Sequence, residues 1–191
     1  MKKIKLYGFA FLLICALASC AASSERKSAD YYRQNQQTIH QIKQLYDHLY
    51  QQQPFSAGFS DKSYQYYLLE VTTDTVRYIY NTERNKEAFF ATIDKFNYDT
   101  TMLKDLGKKM KAIKCLWLSK SSFYINEKRE TITFLSFKSV SSNKLFVENK
   151  YYILVLLNHP ITSPDISARI KKGDLVKIDS LVYFMIGSGF R

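Results

Sequence analysis

Three histidines, one isolated thiol and a run of lysines are the residues whose types and spacing could do chemistry. His40 and His48 fall on one stretch of helical periodicity, about 12 Å apart along its axis at 1.5 Å per residue, too far to share a metal ion. His159, Ser163 and Asp165 are the types of a nucleophilic triad. Ser163-Pro164-Asp165 is also a helix start, with serine as N-cap, proline at the first helical position and an acid in the first turn. Those roles occupy the serine and the acid. Cys115 has Lys111 and Lys114 nearby, and cations lower a thiol pKa. Its neighbours Leu116 and Trp117 place it at the head of an apolar strand, where free cysteine acts as a small hydrophobe. Asp61, Glu70, Asp74, Glu127 and Glu130 read as turn and edge residues. No P-loop, dinucleotide glycine pattern, CxxC or HExxH occurs. The sequence therefore predicts no catalytic site, no metal and no cofactor.

The lysines are the feature that stands out. Lys104, Lys108 and Lys111 recur at i, i+4, i+7, with Lys109 and Lys114 beside them, opposite an apolar stripe of Met102, Leu103, Leu106, Met110 and Ile113. Such a face suits anionic lipid headgroups or an acidic partner. The whole chain carries a net charge of +11.

The N-terminus sets the compartment. Lys2, Lys3 and Lys5 precede an apolar run, Leu6 to Ala18, that is shorter than the roughly 20 residues of a membrane span, so it reads as a secretory signal. Leu17-Ala18-Ser19-Cys20 resembles the lipobox of bacterial lipoproteins. That resemblance implies cleavage before Cys20, a diacylglyceryl group on its sulfur and a further acyl chain, such as palmitate, on its amine. Two or three chains hold a protein stably where one does not, at about 0.8 kcal/mol per buried methylene. Residues 1–19 are then a removed signal peptide. Residues 20–30, small and polar with no acidic run, are a flexible tether. The expected location is the cell envelope, at the outer membrane facing the periplasm. Export removes the protein from nucleic acid. With Cys15 removed and Cys20 acylated, Cys115 has no intramolecular disulfide partner.

The elements behind the tether must position whatever the protein uses. Helical spacing of Ile39, Ile42, Leu45, Tyr46, Leu49 and Tyr50 predicts a helix over 31–53, stopped by Pro54. Pro54 to Gly58 reads as a turn. Tyr64–Val71 and Val76–Tyr80 form a hairpin around Thr72–Thr75. Helices follow at 83–96 and from Asp99 or Thr100 onward. The period then changes to two, with strands at 113–118, 122–126, 131–138, 145–147 and 151–157 joined by short turns, which permit only antiparallel pairing. The wholly apolar YYILVLL (151–157) is the expected central strand. A capped helix runs from Ser163 to Gly173, and 175–186 is a last strand, bent near Asp179-Ser180.

These elements predict one α+β domain over 31–191, an antiparallel sheet of about 6–8 strands with an N-terminal helix and further helices packed on it. From the lysine-rich helix to Phe184 the order resembles small uncharacterised bacterial lipoproteins, and no motif carries a function across. The favoured function is non-catalytic: a lipid-anchored binding or inhibitor protein, immunity-like, with a protein partner in the envelope and the membrane reached through Cys20. The alternatives are a membrane-surface accessory using its basic helix, and an envelope hydrolase with an unrecognised site.

Overall fold

Alternation of apolar and polar residues becomes an antiparallel sheet here, and the helical stripes cover it. The computed structural model describes the backbone of residues 2–61, 63–73, 77–81, 86–125, 128–140, 149–160 and 163–189. Side chains are described from Ser23 onward, except at 77–81, 86, 125, 128 and 165. The expected strand 145–147, the turn residues 74–75 and 141–143, the first residue of the expected strand 76–80, and the acids Asp74 and Glu127 lie outside the described residues.

The elements are α1 (Lys2–Gln52), β1 (Phe55–Phe59), β2 (Tyr67–Thr72), β3 (Arg77–Asn81), α2 (Lys86–Lys95), α3 (Thr100–Ala112), β4 (Trp117–Ile125), β5 (Lys128–Val140), β6 (Lys150–Leu156), α4 (Pro164–Lys172), β7 (Val176–Asp179) and β8 (Val182–Gly187). Among the described residues, eight strands form one sheet in the order β3-β2-β1-β4-β5-β6-β8-β7. Every pairing is antiparallel. The fold is α+β.

The chain divides into two compact units, Met1–Gln34 and Asn35–Arg191. In the first, residues 23–30 are helical rather than a flexible tether. This stretch holds no glycine or proline, and alanine, glutamate, arginine and lysine are good helix formers. Asp30 also lies 4.0 Å from Arg26 and 3.4 Å from Arg33, helix-spaced pairs.

The second unit is organised by one row of paired residues. Leu69, Ala57, Leu118, Leu135, Leu154 and Phe184 stand side by side across six strands, and all six are buried. Lys120 shares this face of β4, because side chains alternate along a strand, and it pairs with Asp47 of α1. The face is therefore the one under α1, whose Ile39, Ile42, Tyr46 and Leu49 are fully buried. Each such side chain contributes about 2 kcal/mol on burial, far above any helix-propensity difference. Lys109 of α3 reaches Gln41 of α1, so α3 lies beside α1.

Several expectations change. Residues 55–59 are a strand, not a turn, although Ser-Ala-Gly is poor strand sequence. A Cβ on Gly58 would lie 2.3 Å from Trp117 Cε3 and 2.6 Å from the Leu116 carbonyl oxygen, so glycine is what lets β1 seat against β4. The two strands expected at 113–118 and 122–126 are one, β4, while Ile113 ends α3. The last strand is a hairpin, β7–β8, turned where the Ser180 N–H donates to Asp179 Oδ1 at 2.6 Å. β6 is interior, between β5 and β8, but the middle of the sheet is β4 and β5. Glu70 lies in mid-strand and is 3% exposed, not an edge residue.

Candidate functional site

The lysine-bearing helix is well specified locally. The Met102 N–H donates to Asp99 Oδ1 at 2.9 Å, capping α3. Leu103, Leu106 and Met110 bury one face. Lys104, Lys108 and Lys111 are exposed on another face and border a cleft of about 310 Å³. The opposite wall comes from α2, with Phe89, Phe90 and Ile93, and the floor from Phe59 and Tyr67. Phe59, Tyr67 and Phe89 form a chain of ring contacts, with centroids 5.6 and 6.1 Å apart. Gly107 contributes by what it lacks, since a Cβ there would lie 3.5 Å from the Tyr67 ring. Lys104 Nζ stands 5.9 Å from the Phe90 ring centroid, within cation–π range.

A tight loop supplies Tyr64 and Gln65 at the mouth. Asp61 organises it by accepting the N–H groups of Ser63, Gln65 and Tyr66 at 3.0, 3.1 and 2.8 Å, and the Ser63 hydroxyl. Desolvation raises the Asp61 pKa, and these hydrogen bonds together outweigh it, holding the carboxyl below its usual range. Tyr64 adopts φ 57, a left-handed conformation uncommon for a residue of its bulk. It is held there by its hydroxyl, which donates to the Lys114 carbonyl at 3.1 Å, and by the Phe59 ring at 5.3 Å. Strained backbone at the lip of a cleft is a mark of functional sites.

The cleft is electrostatically one-sided. Among the described residues, none of Lys104, Lys108 and Lys111 is in an ion pair. Lys109, adjacent in sequence, is turned away, with its Nζ 3.6 Å from Asp105 and 3.1 Å from Gln41. Lys114 is exposed beyond the helix end at φ 56. Of the five lysines expected to form one basic surface, three border the cleft.

The other expected residues are not brought together. His40 and His48 are exposed on α1. Ser163 Oγ accepts the Ile166 N–H at 3.2 Å as the cap of α4, while His159 Nε2 lies 2.9 Å from Glu130 of β5. The side chain of Asp165 lies outside the described residues. Cys115 is fully buried, and burial pushes its thiol pKa well up despite its bond to the Trp117 carbonyl. Cys20 lies in α1, where side chains are outside the described residues. Among the described residues no group of three His, Cys, Asp or Glu could hold a metal, and no helix is long and apolar enough to cross a membrane.

What sequence reasoning missed are the aromatic walls. Phe59, Tyr67 and Phe89 come from separate elements, and only the crowding of aromatics around 55–67 and 89–90 hints at them. Compared with known proteins, the chain matches no family model, no curated protein and no solved structure.

Proposed function

We propose that this is a lipid-anchored protein of the bacterial envelope, held through Cys20, that acts by binding a protein partner at the lysine-edged cleft and not by catalysis. The observation that carries the reading is that Lys104, Lys108 and Lys111, without carboxylate partners among the described residues, border an aromatic cleft. An apolar side chain of the partner fits between Phe59, Tyr67 and Phe89, and carboxylates beside it meet the ammonium groups. This favours an inhibitor- or immunity-like role over a membrane-surface accessory, because a flat bilayer does not enter a concave site. The lysine-rich start, the apolar run and Leu17-Ala18-Ser19-Cys20 support the anchor, and the lack of an acidic run after Cys20 favours a periplasm-facing position at the outer membrane.

Site-specific photo-crosslinking tests it. A photoreactive amino acid replacing Gln65 at the cleft mouth, in the full chain in its own envelope, yields one protein adduct. The combined reversal Lys104→Glu, Lys108→Glu, Lys111→Glu abolishes that adduct without lowering protein level. Adducts with lipid only, or an adduct insensitive to the reversal, refute the reading.

A further inference from the structure

The sheet has a second apolar concavity on the face away from α1. Phe134, Val155 and Tyr183 are paired across β5, β6 and β8, and Met185 follows Tyr183 on the same face. α4 lies over one end of this surface. It is nine residues long, set by the Ser163 cap and by Gly173 at φ 78, and it packs Ile166 against the cluster. Between helix and sheet is a cavity of about 200 Å³. A trough of about 440 Å³ shares Phe123, Phe134, Arg169 and Met185 with it and continues past Ile153 toward Gly187. Phe123 is 43% exposed at this site and Tyr124 78% exposed.

One charge stands over the seam. Arg169 borders both hollows, and its side-chain partner is the thioether of Met185, with Nη2 to Sδ at 3.9 Å. Sulfur is a weak acceptor. Among the described residues no carboxylate pairs with Arg169. A guanidinium presents a planar fork that matches a carboxylate in two-point contact.

The backbone excludes one mode of binding, and Arg169 selects the headgroup. β4, β5, β6 and β8 are all interior strands with neighbours on both sides. A polypeptide binding as an added strand would therefore find no free edge for its own N–H and C=O groups. A hydrocarbon chain needs none. We propose that this groove binds a free long-chain fatty acid, its acyl chain along Phe134 and Met185 and its carboxylate on Arg169. The site lies on the opposite face of the sheet from the lysine-edged cleft and does not depend on that reading.

Methionine methyl resonances test it in the full chain, reconstituted in phospholipid nanodiscs with 13C-methyl methionine. Met185 reports on the groove, while Met102 and the fully buried Met110 on α3 are internal controls. Dodecanoate shifts the Met185 methyl saturably and leaves Met102 and Met110 in place. Arg169→Gln weakens dodecanoate about tenfold, the loss of one charge-assisted contact, and leaves dodecanol binding unchanged. The unchanged Met110 resonance certifies the fold of the variant. The proposal is overturned if Met185 does not move, if the three methyls drift together without saturation, or if Arg169→Gln leaves dodecanoate affinity intact. Binding of a lysophospholipid in place of dodecanoate overturns the fatty-acid assignment.

Discussion

Asp47 on α1 and Lys120 on β4 meet at 2.5 Å beneath the helix, and the same carboxylate holds Lys43 at 2.7 Å. The Lys120 side chain is 7% exposed, and its Nζ lies 4.6 Å from the Tyr50 ring centroid. Burial lowers its pKa, with Asp47 opposing. Removing the shared acid leaves buried Lys120 without its carboxylate and Lys43 with only Asn158, whereas removing Lys120 leaves Asp47 with Lys43. Asp47→Ala should therefore cost about 3 kcal/mol, and Lys120→Met should stay within about 1 kcal/mol of the parent. Urea midpoints of the two variants check this, and equal losses would refute it.

Two glycines should respond in opposite directions to the same substitution. Gly58→Ala drives a methyl into Trp117 and the Leu116 carbonyl, and overpacking of this kind costs about 3 kcal/mol. Gly107→Ala meets the Tyr67 ring at ordinary contact distance and gains up to about 1 kcal/mol of helix propensity. Thermal unfolding should show one midpoint falling and the other unchanged or higher.

Alkali should unfold the protein through its phenols. Burial raises the pKa of Tyr46, Tyr67 and Tyr98 above the ordinary value. For groups raised in the folded state, their stabilisation is intact below the unfolded tyrosine pKa of about 10 and is lost as pH rises above it. Tyrosinate absorbance should therefore appear partly in a cooperative step that coincides with loss of circular dichroism. A smooth titration of all phenols with the fold retained would contradict this.

Cys115 should behave as a core residue. Its burial and raised pKa predict slow reaction with a thiol reagent until the chain unfolds. Cys115→Ala should cost about 1 to 2 kcal/mol. Rapid labelling of the native protein would show a working thiol instead.

The proposed anchor is tested separately. Cys20→Ser should prevent incorporation of labelled fatty acid and either shift the protein from membrane to soluble fraction or leave the precursor uncut. A variant that fractionates normally and keeps its label would remove Cys20 from the account.

Elements with capping residues were legible to their ends. Asp99 before α3, and Ser163, Pro164 and Gly173 around α4, name their helix ends because each satisfies a specific backbone group. β1 was illegible because its strand character comes from Gly58 seating against Trp117, a contact made across the sheet. Half of the cleft was legible for the same kind of reason. Helical spacing puts Lys104, Lys108 and Lys111 on one side, but periodicity does not say which aromatics stand opposite. Nor does it say that Lys109 is drawn to Asp105 and Gln41.

The Gly58–Trp117 contact also bears on how the chain folds. β3, β2 and β1 pair with near neighbours in sequence, as do β4, β5 and β6, so each group forms by closing short loops. The two groups meet through Ala57 with Leu118 and Gly58 with Trp117, across an intervening chain that includes β2, β3, α2 and α3. Ordering that stretch is a loop-closure cost met before the contact repays it. Contact order therefore predicts that the β1–β4 joint closes after the pairings on either side of it. Until it closes, β1 and β4 present unpaired backbone edges, and crowding at Gly58 would prolong that exposure and promote aggregation.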